Sequence, residues 1–303
     1  MPCRHVVFLA AAATLLLSGH GLAQGQGAAV FSADTELVVL HVSVTDRRGA
    51  YVGGLPPEAF SVFEDGRAQT ISLVTDADTP VTVGLLIDGS ASMYPHRRLA
   101  IAAATAFVEV SDPRDEVFAL AFNEHVRSVL PPNAPFTSDG AVLGAALERS
   151  VAARGRTALY DAIANGLDYL ARGVSERKVL VVLSDGGDNA SRFTREEAVH
   201  AAQRSNAVIY TIGLVEERPS DANPALLREL ARASGGDSFR PRRPRDIAAA
   251  FDRIARDIRN VYTVGYIPAA SVRDGSFRSV RVEARGPSGR ALDVRTRAGY
   301  WAP

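Results

Sequence analysis

The middle of the chain alternates two hydrophobic patterns. Unbroken apolar runs stand at 81–87 (VTVGLLI), 117–122 (VFALAF), 179–183 (VLVVL) and 207–212 (AVIYTI). A strand covered on both faces reads this way, because neither side of its pleat meets water. Helical stretches lie between and after the runs, at 97–110, 140–150, 158–171, 194–205, 224–233 and 245–259. Thr194, followed by Glu196 and Glu197, supplies a helix N-cap with acidic first-turn residues. This alternation predicts an α/β fold over 80–260, a doubly wound and mostly parallel sheet with helices on both faces.

The flanks follow period two instead. In 36–45 (ELVVLHVSVT), Val38, Leu40, Val42 and Val44 share one face. Residues 59–64 (AFSVFE) alternate again, Asp65-Gly66 makes a hairpin turn, and 68–74 (AQTISLV) reads as one further strand. Beyond the α/β stretch, 261–267 (VYTVGYI), 277–284 (FRSVRVEA) and 291–296 (ALDVRT) alternate as well. Each flank is half a sheet, with an apolar face and open edges left over. The economical expectation is that 24–79 and 261–303 pair into a small β-sandwich, with the α/β domain inserted between them. The alternative is two separate hairpins that extend the α/β domain.

Residues 1–23 read as a secretory signal peptide. Arg4 and His5 precede an apolar run at 6–17, and Gly21 and Ala23 occupy the −3 and −1 positions of a cleavage site. The run is too short to span a hydrocarbon core of ~30 Å as a helix. An uncleaved anchor is the rival reading. Cleavage near Ala23 removes Cys3, the chain's one cysteine, so the mature chain has neither a disulfide nor a thiol ligand. It also removes Arg4, leaving 33 of the 34 Lys and Arg beside all 34 Asp and Glu, a formal −1. That balance argues against a nucleic-acid binder, which carries a basic excess. No other stretch is long and apolar enough to cross a membrane, so the expectation is an exported protein, periplasmic, secreted or held at the cell surface. Oligomeric state is not legible.

The candidate chemistry lies at strand ends. The run at 81–87 leads into Asp88-Gly89-Ser90-Ala91-Ser92, and ligands of open parallel sheets bind at the carboxyl ends of strands. One carboxylate and two hydroxyls on alternate residues of a tight loop are hard oxygen donors, suited to Mg2+ or Mn2+. Gly155-Arg156-Thr157 opens a predicted helix, and 179–183 runs into Ser184-Asp185-Gly186-Gly187. Each element alone has a plainer explanation, as a turn or helix cap. Together they bring D-x-S-x-S, Thr and Asp to one face of the sheet.

The three elements, with GRTALYD at 155–161 and LSDG at 183–186, resemble the von Willebrand factor type A domain and its metal-ion-dependent adhesion site. The resemblance spans about 81–260. The leader, inserted layout and β tail are similar to exported bacterial members. It implies that Ser90, Ser92 and Thr157 touch a divalent ion directly, while Asp88 and Asp185 act through water. Mg2+ is the implied ion, with Mn2+ or Ca2+ also accommodated. One open coordination position then takes a Glu or Asp from a protein partner, with Gly89, Arg156 and Gly186 at the rim. Arg156 departs from the small residue common before this Thr, which sets a cation beside the site. In related domains the last helix, here 245–259, moves between open and closed forms.

Other chemistries fit less well. The chain has no G-x-x-x-x-G-K-[ST] loop, no G-x-G-x-x-G after a strand and no G-x-S-x-G elbow. An Mg2+-dependent phosphotransferase with Asp88 as nucleophile is the remote enzyme reading. Such enzymes want an acid two residues later and a lysine by the phosphate; Ser90 stands there, and the single lysine, Lys178, precedes its strand. The expectation is therefore not an enzyme. The mature histidines, His41, His96, His125 and His200, form no zinc-like pair and read as surface or core. A third reading makes the metal a staple and the β-sandwich the binding surface. Asp188 and Asn189 read as solvated loop, Asp161 as structural, and Arg240, Arg242, Arg243 and Arg245 as a solvated cationic loop.

Overall fold

The unbroken apolar runs become adjacent strands in a computed structural model that describes residues 37–214, 222–243, 245–269 and 274–302. The signal peptide expected at residues 1–23 lies outside the described residues. The central strands are β5 (Val81–Asp88), β6 (Glu116–Phe122), β7 (Val126–Ser128), β8 (Arg177–Ser184), β9 (Val208–Gly213) and β10 (Ser238–Phe239). They form one six-stranded sheet in the order β10-β9-β8-β5-β6-β7, parallel except for the edge strand β7. The strand order reverses between β5 and β8, the place where such sheets open a crevice.

The six helices are α1 (Arg97–Glu109), α2 (Gly140–Ser150), α3 (Leu159–Leu170), α4 (Arg195–Arg204), α5 (Pro224–Ser234) and α6 (Asp246–Arg259). They agree with the predicted stretches to within two residues at each end. Every residue of β5 is buried, and its alternation divides two cores. Val83, Leu85 and Ile87 pack with α1, α2 and α6, through Phe107, Leu147 and Phe251 among others. Leu86 packs on the other side with α3, α4 and α5. Gly84 shares that second face, where a Cβ would collide with the Phe118 ring. On α4, Thr194 and Glu197 form a reciprocal capping box.

The flanking strands are β1 (Val38–Thr45), β2 (Phe60–Glu64), β3 (Arg67–Gln69) and β4 (Ile71–Thr75) before the α/β layers. After them come β11 (Tyr262–Tyr266), β12 (Phe277–Ala284), β13 (Asp293–Arg295) and β14 (Gly299–Trp301). They make two four-stranded antiparallel sheets, β13-β1-β11-β4 and β14-β12-β2-β3. Each sheet mixes strands from both ends of the chain, and the alternative of two separate hairpins is set aside. One apolar core lies between them: Leu40, Val42, Phe60, Val62, Tyr262, Val264, Tyr266 and Val282. Its polar exception is satisfied. Glu64, 6% exposed, accepts the Tyr266 hydroxyl at 2.7 Å and the Tyr300 hydroxyl at 2.8 Å.

The reading of 68–74 as one strand is corrected. The chain pairs with β2 up to Gln69, crosses at Thr70, and pairs with β11 from Ile71 onward. After the crossing Ile71 and Val74, three apart, pack against the sandwich core while Leu73 is exposed, and the pairing of β4 with β11 carries a register shift, so a period of two misreads the segment. β7, β10 and β14 were also unread, because two or three residues are too few to show a period.

A candidate metal centre at the sheet switch point

The site begins with Asp88, the last residue of β5, 1% exposed. Its Oδ1 accepts the Ser90 N–H at 2.8 Å, and its Oδ2 accepts the Ser184 hydroxyl at 2.6 Å. Ser184 arrives by register: Ile87 pairs with Leu183, so the next residues of β5 and β8 stand side by side. Burial pushes the Asp88 carboxyl up to about 6; hydrogen bonds from Ser184 and Ser90 oppose this, and the neighbouring Asp185 charge adds to it.

The following loop is fastened on both sides. The Gly89 N–H donates to Phe122 O at 2.7 Å, Arg154 N–H to Gly89 O at 2.8 Å, and Ala91 N–H to Gly155 O at 3.2 Å. The Ser90 and Ser92 hydroxyl oxygens lie 3.1 Å apart. The same ties lay the 152–157 segment against the loop. Gly155 has φ +87°, and a Cβ there would collide with the Glu124 carboxylate. That carboxylate accepts the Arg156 N–H at 3.0 Å.

Thr157 is 6% exposed and stands just before Ala158, the N-cap of α3. That helix end has no side-chain cap, so the capping explanation for Thr157 does not hold. Its backbone is held instead: the N–H donates to Asn189 Oδ1 at 3.0 Å, and its carbonyl accepts the N–H groups of Asn189 and Ala190, each at 2.9 Å. Asp185 is 7% exposed, and its Oδ1 accepts the Gly187 N–H at 2.8 Å. Of the three rim residues, only Arg156 is exposed. Gly89 and Gly186 are buried turn backbone, Gly186 with φ +85° and the Asn223 carbonyl where a Cβ would stand.

Asp188 and Asn189 lie in a loop, Asp188 half-buried and Asn189 exposed, but both are also tied to the site segment. Asp188 accepts the Tyr160 N–H at 3.2 Å and the Ser191 hydroxyl, while Asn189 holds Thr157. Asp161 is structural, as expected: its Oδ1 accepts the N–H groups of Arg192 and Phe193 at 2.9 and 3.0 Å. Ser184 and Glu124 escaped the sequence reading. Ser184 had a faint signal as the residue between an apolar strand and Asp185. Glu124 had none, since only the fold brings it to Gly155.

Asp88 and Asp185 thus stand at the carboxyl ends of β5 and β8, with the Ser90 and Ser92 hydroxyls on the loop after β5 and Thr157 on the segment tied to that loop through Gly155. Among the described residues no three His, Cys, Asp or Glu side chains group as a metal cage. The donor set is all oxygen and mostly neutral, which suits a hard divalent cation better than a soft one. A buried carboxylate with a raised pKa also favours a nearby positive charge.

The sequence profile of the von Willebrand factor type A domain matches residues 82–253. No curated protein sequence matches the chain. Among solved structures, the von Willebrand factor type A protein from Catenulispora acidiphila is 14% identical, with a TM-score of 0.50, covering 89% of this chain and 75% of that one. BatB from Bacteroides thetaiotaomicron is 20% identical with a TM-score of 0.48, covering 59% and 97%. Proximal thread matrix protein 1 of the mussel byssus, described with a zinc-occupied MIDAS motif, is 14% identical with a TM-score of 0.49, covering 60% and 48%. The first of these likenesses concerns the fold, and the other two are weaker.

Proposed function

We propose, for a chain that belongs to the von Willebrand factor type A domain family, a metal-dependent protein-binding function centred on Asp88, Ser90, Ser92, Thr157 and Asp185. The hydroxyls of Ser90, Ser92 and Thr157 bind a divalent ion directly, Mg2+ in the first instance. Asp88 and Asp185 hold its water ligands. When bound, the ion supplies an electrophilic position for a carboxylate from a Glu or Asp of the partner.

The observation that carries this reading is the 3.1 Å between the Ser90 and Ser92 hydroxyl oxygens. Oxygens at ~2.1 Å from an octahedral ion stand about 3.0 Å apart along an edge, so the pair fits two adjacent positions. Asp88 supports the indirect role, since each of its oxygens already accepts a hydrogen bond. With hydroxyls as the direct donors, little of the ion's charge is neutralised, and an incoming carboxylate is drawn in.

The binding reading is favoured over phosphoryl transfer by the place of Lys178. It is the second residue of β8, at the opposite end of the sheet from Asp88, and its ammonium donates to Gly173 O at 2.8 Å. With residues 1–23 as leader, the function belongs to an exported chain. No helix among the described residues is long and apolar enough to cross a membrane.

The test is Mn2+ titration calorimetry on the chain from residue 24, with Ser90→Ala and Asp185→Ala beside wild type. One site in wild type and none in either variant is expected. A wild type that folds and takes up no Mn2+ at millimolar concentration, or variants that bind as well as wild type, would overturn the reading.

A further inference from the structure

The segment that carries Thr157 also presents two arginines, and how they are held bears on what the site captures. Arg154 and Arg156 flank Gly155, which the Glu124 carboxylate locks in a left-handed turn. The same turn is hydrogen-bonded to Gly89 and Ala91, within the loop that carries Ser90 and Ser92. Both arginines are exposed, and neither guanidinium has an ion pair or hydrogen bond among the described residues. Glu124, the nearby exposed acid, is engaged through Arg156 N–H. A third arginine, Arg192, borders the same end of the sheet with its side chain 91% exposed. Four exposed arginines, Arg114, Arg192, Arg195 and Arg281, pair with an acid, and Arg154 and Arg156 do not among the described residues. Arg154 and Arg156 are held rigidly at the backbone and left without a partner at the side chain.

We propose that the site recognises an extended acidic segment with carboxylates at alternate positions, the first for the metal and the second for Arg154 and Arg156. The proposal rests on the metal-capture reading above. It follows from chain dimensions. In an extended peptide, side chains at i and i+2 point the same way and lie ~7 Å apart. Arg156 adjoins Thr157, and Cα atoms of neighbouring residues are ~3.8 Å apart, so a guanidinium beside Thr157 lies within reach of that second carboxylate. Arginine suits the task because its planar fork binds a carboxylate through two N–H groups. Acids at i and i+1 face opposite sides and cannot serve both positions.

The experiment compares two blocked synthetic peptides on the purified protein with 1 mM Mn2+. One carries Glu-Ser-Glu within a Gly/Ser frame, and the other Glu-Ser-Gln in the same frame. Wild type is expected to bind the first about tenfold more tightly. The Arg154→Ala, Arg156→Ala double variant is expected to lose that preference and bind the two peptides within about twofold of each other. Both substitutions are at exposed side chains, so Mn2+ uptake should be retained and serves as the control for folding. Equal binding of the two peptides by wild type, or a preference that survives in the double variant, would overturn the proposal and leave metal capture standing. Binding of neither peptide to Mn2+-loaded protein would overturn both.

Discussion

His41 shows how much one side chain can reveal when its surroundings are known. It sits on β1 with Nδ1 sealed from solvent and without a hydrogen-bond partner. Burial above all, with the charges of Arg177 and Arg297 beside it, lowers its pKa to about 4. The unfolded chain titrates near 6.5, so between about pH 6.5 and 4 the unfolded state holds more protons than the folded one. Stability is therefore present above that window and is lost as pH falls through it. By pH 4.5 the loss should reach about 2–3 kcal/mol. Urea unfolding of wild type and His41→Gln at pH 7.5 and 4.5 checks this: the variant should lose less than wild type by about that amount. The sequence identified His41 as a core or surface histidine and nothing more. Its neighbours come from residues 177 and 297, too distant in the chain for any local pattern to connect.

At the scale of elements, the helices and central strands were legible because each repeats its pattern several times. The site loops were legible in another way, since each of the five proposed ligands sits at a strand or helix end or within four residues of one. The supports of those loops were not. Asp161, in the first turn of α3, holds the 188–193 segment through the Arg192 and Phe193 N–H groups. That segment in turn holds Thr157 through Asn189. Asp161→Ala should leave two N–H groups unpaired and cost about 2 kcal/mol. Amide exchange at Arg192 and Phe193 should quicken at least tenfold, whereas Asp161→Asn, which keeps an acceptor, should change it little. Unaltered exchange in the alanine variant would show that the segment is held by other means. The crossing at Thr70 belongs to this scale too. Two sheets packed face to face allow the chain to step from one to the other at a single residue.

For the whole molecule, the seam between the α/β layers and the antiparallel sheets is ionic where the cores are apolar. Arg295 on β13 reaches Asp257 of α6 and Asp237, each at 2.7 Å. Arg259 at the end of α6 pairs with Asp115 at 2.8 Å and Asp78 at 2.9 Å. Arg297, between β13 and β14, donates to Asn206 Oδ1, just after α4, at 2.9 Å. Asp257 is 7% exposed, so removing Arg295 leaves a buried charge with, among the described residues, only Arg253 paired to it. Arg295→Ala should therefore destabilise the protein by roughly 3 kcal/mol, more than an exposed pair would. Scanning calorimetry gives the value, and a second, earlier transition in the variant would mean the seam carries the cooperativity of the whole.

The sequence by itself determined the six helices, the longer strands and the doubly wound layer, and it supplied the five residues proposed for the metal centre. These depend on patterns that recur within ten or so residues, or on motifs fixed to strand ends. Tertiary structure alone decided which flanking strands pair, where the chain changes sheets, and which partners hold the site. Glu124 meets Gly155, Ser184 meets Asp88, and Arg295 meets Asp257, contacts across 31, 96 and 38 positions. Such contacts follow from packing whole layers against one another, a global minimum that no local period encodes.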